Sequence, residues 1–395
     1  MNEKGPFFAQ VSTIVERGEE FLRLLAGMGF SPNQKKVLER VFSGKDAEKM
    51  VGRTSKTIAK LYSDNAPNQA FYMPTKYPSG RAAGFSLEQI NAMRDHFNTR
   101  PGKNNKEKTF TLAVQSFKGG AGKSVTTVHL AQYLALRGYK ILVMDCDPQA
   151  STTSSFGYIP DLSFTDKNTI LPYLEGDQDT LHYAIQKTYF SGIDLIPGCL
   201  SLFEAEFGLY NARFQEKNPE AQLIYWEEFK HGLATISDDY DIVLLDSPPA
   251  LGMISINIMT AADGIVVPTP PSLYDFASTT QYFRMAERIS QSLPNKDFAF
   301  MKILATRVDG IRPAAQDFIN HMRDEFGKYM YKNEFRSIGI IPTAASYFKT
   351  LYDISPKDRD KHQLQVNKKQ IQMLNAVFSE ILNDIHVAWS RKSAI

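Results

Sequence analysis

The segment Phe117-Lys118-Gly119-Gly120-Ala121-Gly122-Lys123-Ser124 constrains this chain more than any other. It follows an apolar, β-branched run, Thr109 to Ser116, and opens a helical pattern that continues from Ser124 to about Arg137. Glycines at such a junction let successive backbone N–H groups turn toward one point, and the helix that starts there adds the positive end of its dipole. Further apolar runs at Ile141 to Asp147, Asp241 to Asp246, Gly264 to Pro268 and Lys302 to Arg307 alternate with helical segments. That alternation predicts an α/β fold with a doubly wound, mostly parallel sheet covered on both faces.

At 395 residues the chain exceeds one ordinary core, and about 100 to 200 residues per domain point to two units. Residues 101–108, Pro-Gly-Lys-Asn-Asn-Lys-Glu-Lys, are polar and without periodicity and read as a linker. The expected division is therefore a small helical domain over 1–105 and the α/β domain over 106–395. Apolar residues make up 43% and charged residues 22%, and no stretch approaches the run of about 18 apolar residues that spans a bilayer. Glu3, Glu16, Glu19 and Glu20 interrupt the start of the chain, which argues against a secretory signal and for a cytoplasmic protein. Cys146 and Cys199 have neither metal nor disulfide spacing, so Cys146 reads as a small buried residue. Net charge is only +2, but residues 1–109 hold 18 Lys and Arg against 11 Asp and Glu, so the front of the chain suits an anionic partner.

The glycine segment has the chemistry of a phosphate cradle. Lys123 is placed to reach β- and γ-phosphates and the Ser124 hydroxyl to ligate Mg²⁺. The common pattern G-x-x-x-x-G-K-[ST] would put its first glycine at position 117, which is Phe here, and an extra lysine stands at Lys118. Two other segments fall where nucleotide chemistry needs them. Ile141 to Gln149 ends a buried strand in Asp145 and Asp147, at the strand edge where α/β sheets bind ligands. Asp241 to Pro249 presents Asp246 at the end of another strand, the place of a carboxylate that holds Mg²⁺ through water.

Together K-G-G-x-G-K-[ST], D-x-D-P-Q and D-x-x-x-x-D-S-P-P resemble the ParA/MinD group of deviant Walker A ATPases over roughly residues 108–390, with Gly192 to Pro197 and Thr306-Arg307-Val308-Asp309 also placed as in ParA proteins. The resemblance implies an ATP-sandwich homodimer in which Lys118, Gly119, Gly120, Ala121, Gly122, Lys123, Ser124 and Val125 surround the nucleotide. It makes Lys118 the signature lysine that reaches the partner's ATP, Asp147 the residue that orients the attacking water, and Asp145 a support of the Mg²⁺ shell beside Ser124 and Asp246. Catalysis then falls to Lys118, Lys123 and Asp147. The family shows two hydroxyls after the loop lysine, whereas this chain has Ser124-Val125.

In the front domain, Lys45 to Leu61 reads as a helix bearing Ala47, Met50 and Val51, a turn at Gly52, and a second helix from Thr54 with Ile58 and Leu61 inward. This helix-turn-helix pattern leaves Arg53, Ser55, Lys56, Thr57 and Lys60 for DNA phosphates or bases, although Glu48 stands where such motifs favour a small residue. Tyr72 to Arg81 reads as a wing and Ser86 as the start of a further helix, and the whole resembles the winged N-terminal domain of larger plasmid-type ParA proteins. Near the chain end, Leu374, Val377, Phe378, Ile381, Leu382, Ile385 and Trp389 form an amphipathic helix whose acidic polar face argues for packing on the sheet over a membrane surface. Lys349, Lys357, Arg359, Lys368 and Lys369 read mostly as a solvated basic face.

The expected function is a DNA-segregation ATPase, nucleoid-associated and without a membrane role. Its ATP dimer holds nonspecific DNA, a ParB-like partner stimulates it, and the front domain binds its own operator. The alternative is an ATP-gated transcriptional repressor with no segregation role. A metabolic ligase related to dethiobiotin synthetase has no use for residues 1–105, and an iron protein of the nitrogenase kind needs cysteines that this chain does not place.

Overall fold

The computed structural model describes residues 6–27, 38–63, 66–104, 106–218, 223–292, 297–308, 313–345, 349–354, 365 and 368–390. Glu3, Asn105, Asp309, Lys357 and Arg359, named above, lie outside the described residues.

Helices dominate before the expected boundary: Pro6–Gly27, Gly44–Val51, Ser55–Ala59 and Leu87–His96. The second is bounded by strong local signals. Ser43 and Asp46 form a reciprocal capping box at its start, and Gly52 ends it in the left-handed region at φ 71°. Thr54 then caps Ser55–Ala59 through the Thr57 amide, and Ala47, Val51, Ile58 and Leu61 are buried where the pattern puts them. An antiparallel hairpin of β1 (Thr75–Lys76) and β2 (Ala82–Gly84) overlaps the stretch Tyr72 to Arg81 and extends three residues beyond it.

The second region is built on β3 (Phe110–Val114), β4 (Ile141–Asp145), β5 (Gln186–Lys187), β6 (Ile193–Ile196), β7 (Ile242–Asp246), β8 (Gly264–Thr269), β9 (Phe300–Val308) and β10 (Phe335–Arg336). Their order in the sheet is β10-β9-β8-β3-β7-β4-β6-β5, and every pairing is parallel except β5 with β6. Alternate residues feed opposite faces, as the period of two requires. Leu112, Val143 and Leu244 join a core shared with helices Lys123–Arg137 and Lys368–Ala388. Ala113, Leu142, Met144, Val243 and Leu245 join a second core with Phe229, Ile258 and Tyr282 from the other side. Covered on both faces, the central strands can be apolar throughout, which is why they were visible as runs.

The C-terminal helix packs as its pattern implied. Leu374, Val377, Phe378, Ile381, Leu382 and Ile385 are buried, while Glu380 accepts the amides of Lys332 and Asn333 and Asp384 pairs with Lys302 at 2.8 Å. Among the described residues no helix is long and apolar enough to cross a membrane.

Within the polar stretch, Lys103 is tied to the segment that leads into β7. Asp241 accepts the Lys103 amide at 2.8 Å and the Lys140 amide at 2.7 Å, and Lys103 Nζ donates to the Ser237 carbonyl at 2.6 Å. Composition reveals polarity but not the partner that uses it. The two regions also share a core: Phe42, Val51, Ile58, Ile90 and Met93 belong to the same cluster as Val128, Leu134 and Phe378. At that junction Arg94, 2% exposed, donates Nε to the Met50 carbonyl, Nη1 to Asn91 and Nη2 to the Leu136 carbonyl.

Candidate functional site

The loop after β3 turns on two glycines in the left-handed region, Gly120 at φ 72° and Gly122 at φ 93°. A Cβ on Gly120 would also stand 3.3 Å from Arg307 Nη1, so a side chain there meets both backbone strain and a neighbour. Helix Lys123–Arg137 starts immediately, with Gly122 at its N-cap and no side chain capping it, so its first amides face the loop. Lys123 is buried at 6% exposure and donates Nζ to the Lys118 carbonyl at 3.1 Å. Burial pulls its pKa down, and Asp246 and Asp147 pull it back up.

Three strand-end carboxylates occupy different depths. Asp246, at the end of β7, is fully buried and accepts the Thr152 hydroxyl at 2.7 Å, the Thr127 hydroxyl at 3.3 Å, and a hydrogen bond from Ser124. Asp145, at the end of β4, accepts the Thr153 amide at 2.8 Å and hydroxyl at 2.7 Å, and the Asp147 amide at 3.2 Å. Burial raises both pKa values, and for Asp145 the neighbouring Asp246 charge adds to the rise. Asp147 stands further forward, with Oδ1 held by the Gln149 amide at 2.9 Å.

A cleft of about 460 Å³ opens over the loop. Gly119, Gly120, Gly122, Lys123, Ser124, Val125 and Asp147 line it, and Phe335 to Pro342 supply its opposite wall. The structure thus brings together most of the residues singled out from sequence. Ala121 is buried beneath the cleft with its carbonyl held by the Thr306 hydroxyl at 2.7 Å, and Asp246 and Asp145 sit behind it. Lys118 turns along the rim to Asp275, at 3.2 Å. The sequence reading missed Thr127, Thr152, Asp275 and the role of Arg307, whose Nη1 donates to the Gly120 carbonyl at 2.8 Å. Hydroxyl pairs at Thr126-Thr127 and Thr152-Thr153, each close to a motif, were the available signal for the first two.

The five candidate DNA residues are not equivalent. Lys56 and Lys60 are exposed. Arg53 folds back, donating to the carbonyls of Gly52 at 3.0 Å and Phe97 at 3.3 Å with its guanidinium over the Phe97 ring. Ser55 is engaged by Glu48, and Thr57 meets Thr54 at 3.0 Å.

A parallel sheet, a glycine loop running into a helix, a buried lysine and a strand-end carboxylate hydrogen-bonded to the next hydroxyl define a P-loop nucleotide-binding protein of the two-lysine kind. A family model described as an AAA domain matches residues 109–300. Protein SopA of Escherichia coli (strain K12) is 31% identical over 348 residues, covering 86% of this chain and 88% of SopA. Among solved structures, one described as "Partition Protein" has a TM-score of 0.60 at 18% identity, covering 88% of this chain and 97% of that one. A cobyrinic acid a,c-diamide synthase from Mycobacterium smegmatis, with bound ATP analog and magnesium, has a TM-score of 0.52 at 23% identity, covering 72% of this chain and 98% of the other. At these identities the two structures speak for the fold alone, whereas SopA fixes the family. The chain belongs to the ParA-type partition ATPases.

Proposed function

We propose that the chain is a DNA-segregation ATPase that hydrolyses ATP with Mg²⁺ as a homodimer, with a DNA-binding domain over 1–105 and the ATPase over 106–395. The observation that carries this reading is the Lys123–Ser124–Asp246 arrangement beneath a cleft whose edge holds Asp147. The site fits both groups. Gly120 and Gly122 supply the left-handed backbone on which the cradle turns, and a hydroxyl and a carboxylate in contact are the hard oxygen donors that Mg²⁺ takes alongside phosphates. Ser124 would ligate the ion directly and Asp246 through water, with Asp145 supporting from behind, and the bound ion would neutralise charge between β- and γ-phosphates. Lys123 contributes a desolvated cation already aimed at the loop. The amides of Gly119 through Val125 supply donors at a helix N-terminus. Asp147, oriented by the Gln149 amide, would hold the attacking water in line. Lys118 would act on the nucleotide of the second chain, where a cation in a water-excluded interface stabilises charge far more than in bulk water.

In this reading the ATP dimer holds nonspecific DNA, a ParB-like partner stimulates turnover, and Lys56 and Lys60 lead operator binding by the front domain, assisted by Arg53, Ser55 and Thr57. The protein then works in the cytoplasm on the nucleoid. One observation favours the second reading, an ATP-gated repressor: Arg94 joins the helix pair to the P-loop helix, so nucleotide state has a rigid route to the DNA-binding surface. ATPase rate measured alone, with DNA, and with DNA plus the centromere-binding partner separates the two. Joint stimulation supports segregation. A flat rate together with nucleotide-dependent promoter affinity supports the repressor.

A further inference from the structure

We propose that Asp275 is a positioning residue for Lys118, holding the ammonium within its own chain until the γ-phosphate of a second chain takes it over. The inference rests on the trans role of Lys118 proposed above. Its own ground is the geometry on the rim of the cleft. Lys118 Nζ lies 3.2 Å from Asp275 Oδ1, with the lysine side chain 45% exposed and the carboxylate 18% exposed. The carboxylate is fixed from the other side, because its Oδ2 accepts the Ser272 hydroxyl at 2.6 Å and the Asp275 amide donates back to Ser272 at 3.3 Å. One oxygen therefore belongs to the cap of helix Leu273–Ser292, and the other is presented to the lysine. Leu273 and Tyr274, 70% and 84% exposed, stand beside it, so this ion pair lies on an apolar rim suited to burial against another surface.

A carboxylate that close cancels most of the field the ammonium would exert on a phosphate, so the pair must part before Lys118 can act across an interface. Dimerisation then exchanges one anion for another around Lys118, and the partly exposed pair sets a modest threshold against association. Without ATP there is no competing anion, and the lysine stays in cis.

The test uses the full-length protein and ATP. Asp275→Asn keeps an acceptor for Ser272 but removes the charge, and Asp275→Glu restores the charge. Asp275→Asn should lower the protein concentration for half-maximal ATP-dependent dimerisation a few-fold and raise ATP turnover at sub-saturating protein, with little change in turnover once the dimer is saturated. Asp275→Glu should return the threshold toward wild type. In a Lys118→Ala background, Asp275→Asn should have no further effect on dimerisation. An unchanged or raised threshold in folded Asp275→Asn, or the same gain in the Lys118→Ala background, overturns the proposal. Its failure is separable from failure of the trans reading. No complementation between catalytic mutants would remove the trans reading and the handover with it, whereas complementation with an unshifted threshold would remove the role of Asp275 alone.

Discussion

Glu48 accepts hydrogen bonds from both the amide and the hydroxyl of Ser55, so the first helix of the front pair caps the second. The residue that breaks the sequence pattern is thus the one that anchors Ser55–Ala59. Those bonds pull the Glu48 pKa below its ordinary 4.5. A depressed carboxylate contributes stability above its unfolded pKa and loses it as pH falls through the folded value. Glu48→Gln should therefore reduce amide-exchange protection at Ser55 to Ile58 at neutral pH and match wild type in acid. Equal protection at neutral pH would show that the cap is idle.

Promoter binding should separate the basic residues. Each phosphate that a side chain neutralises contributes about 0.9 to the slope of log K against log salt. Lys56→Ala and Lys60→Ala, both at exposed positions, should each make the slope shallower by that amount. Arg53, held on Phe97, should cost affinity through its packing, with a smaller change in slope. Titrations of a promoter fragment at several salt concentrations decide this, and unchanged slopes for both lysine variants would move the DNA surface elsewhere.

Arg94 tests the junction. Its three nitrogens satisfy acceptors on the front helix, on its own helix and on the P-loop helix, the bond to Asn91 fully buried and the other two partly so. Arg94→Ala removes all three bonds and leaves the buried Asn91 acceptor unpaired, at about 1 to 3 kcal/mol. Thermal unfolding should broaden or split into two transitions, with ATP still protecting the second. A single transition at the wild-type midpoint would contradict the coupling.

His129 gives a pH prediction away from the nucleotide. Its ring is buried on the P-loop helix, with Nδ1 2.8 Å from the Val125 carbonyl and Nε2 3.5 Å from the Leu351 amide. The first contact needs a donor and the second an acceptor, which together suit only the neutral Nδ1–H tautomer. Burial lowers its pKa from 6.5 despite the nearby Asp353. Unfolded protein then binds the extra proton, so stability is full above pH 6.5 and falls as pH drops through the lowered value. His129→Gln can make both contacts without titrating, and its melting temperature should fall less than wild type below pH 6.5. Parallel pH profiles would rule this out.

Much of this molecule was legible because its central strands are buried on both faces and so appear as unbroken apolar runs ending in motif carboxylates. Asp145, Asp147 and Asp246 were found that way. The edges were not: β5 and β10 are two residues long, too short for periodicity, and β6 is interrupted by Asp194, which pairs with Lys187 and accepts the Tyr240 hydroxyl. The different depths of the three carboxylates, and the engagement of Lys118 by Asp275, depend on pairings between residues far apart in sequence, such as Thr152 with Asp246, which no local pattern encodes.

If Lys118 acts on the nucleotide of a second chain, mixing two inactive proteins should restore a working site. Lys118→Ala and Asp147→Ala should each be inactive alone. In their heterodimer, the site on the Lys118→Ala chain keeps its own Asp147 and receives Lys118 from the other chain, so one complete site forms. ATP hydrolysis on mixing should rise well above either protein alone, toward one active site per heterodimer. If heterodimers are shown to form and the mixture stays inactive, Lys118 works within its own chain and the trans assignment fails.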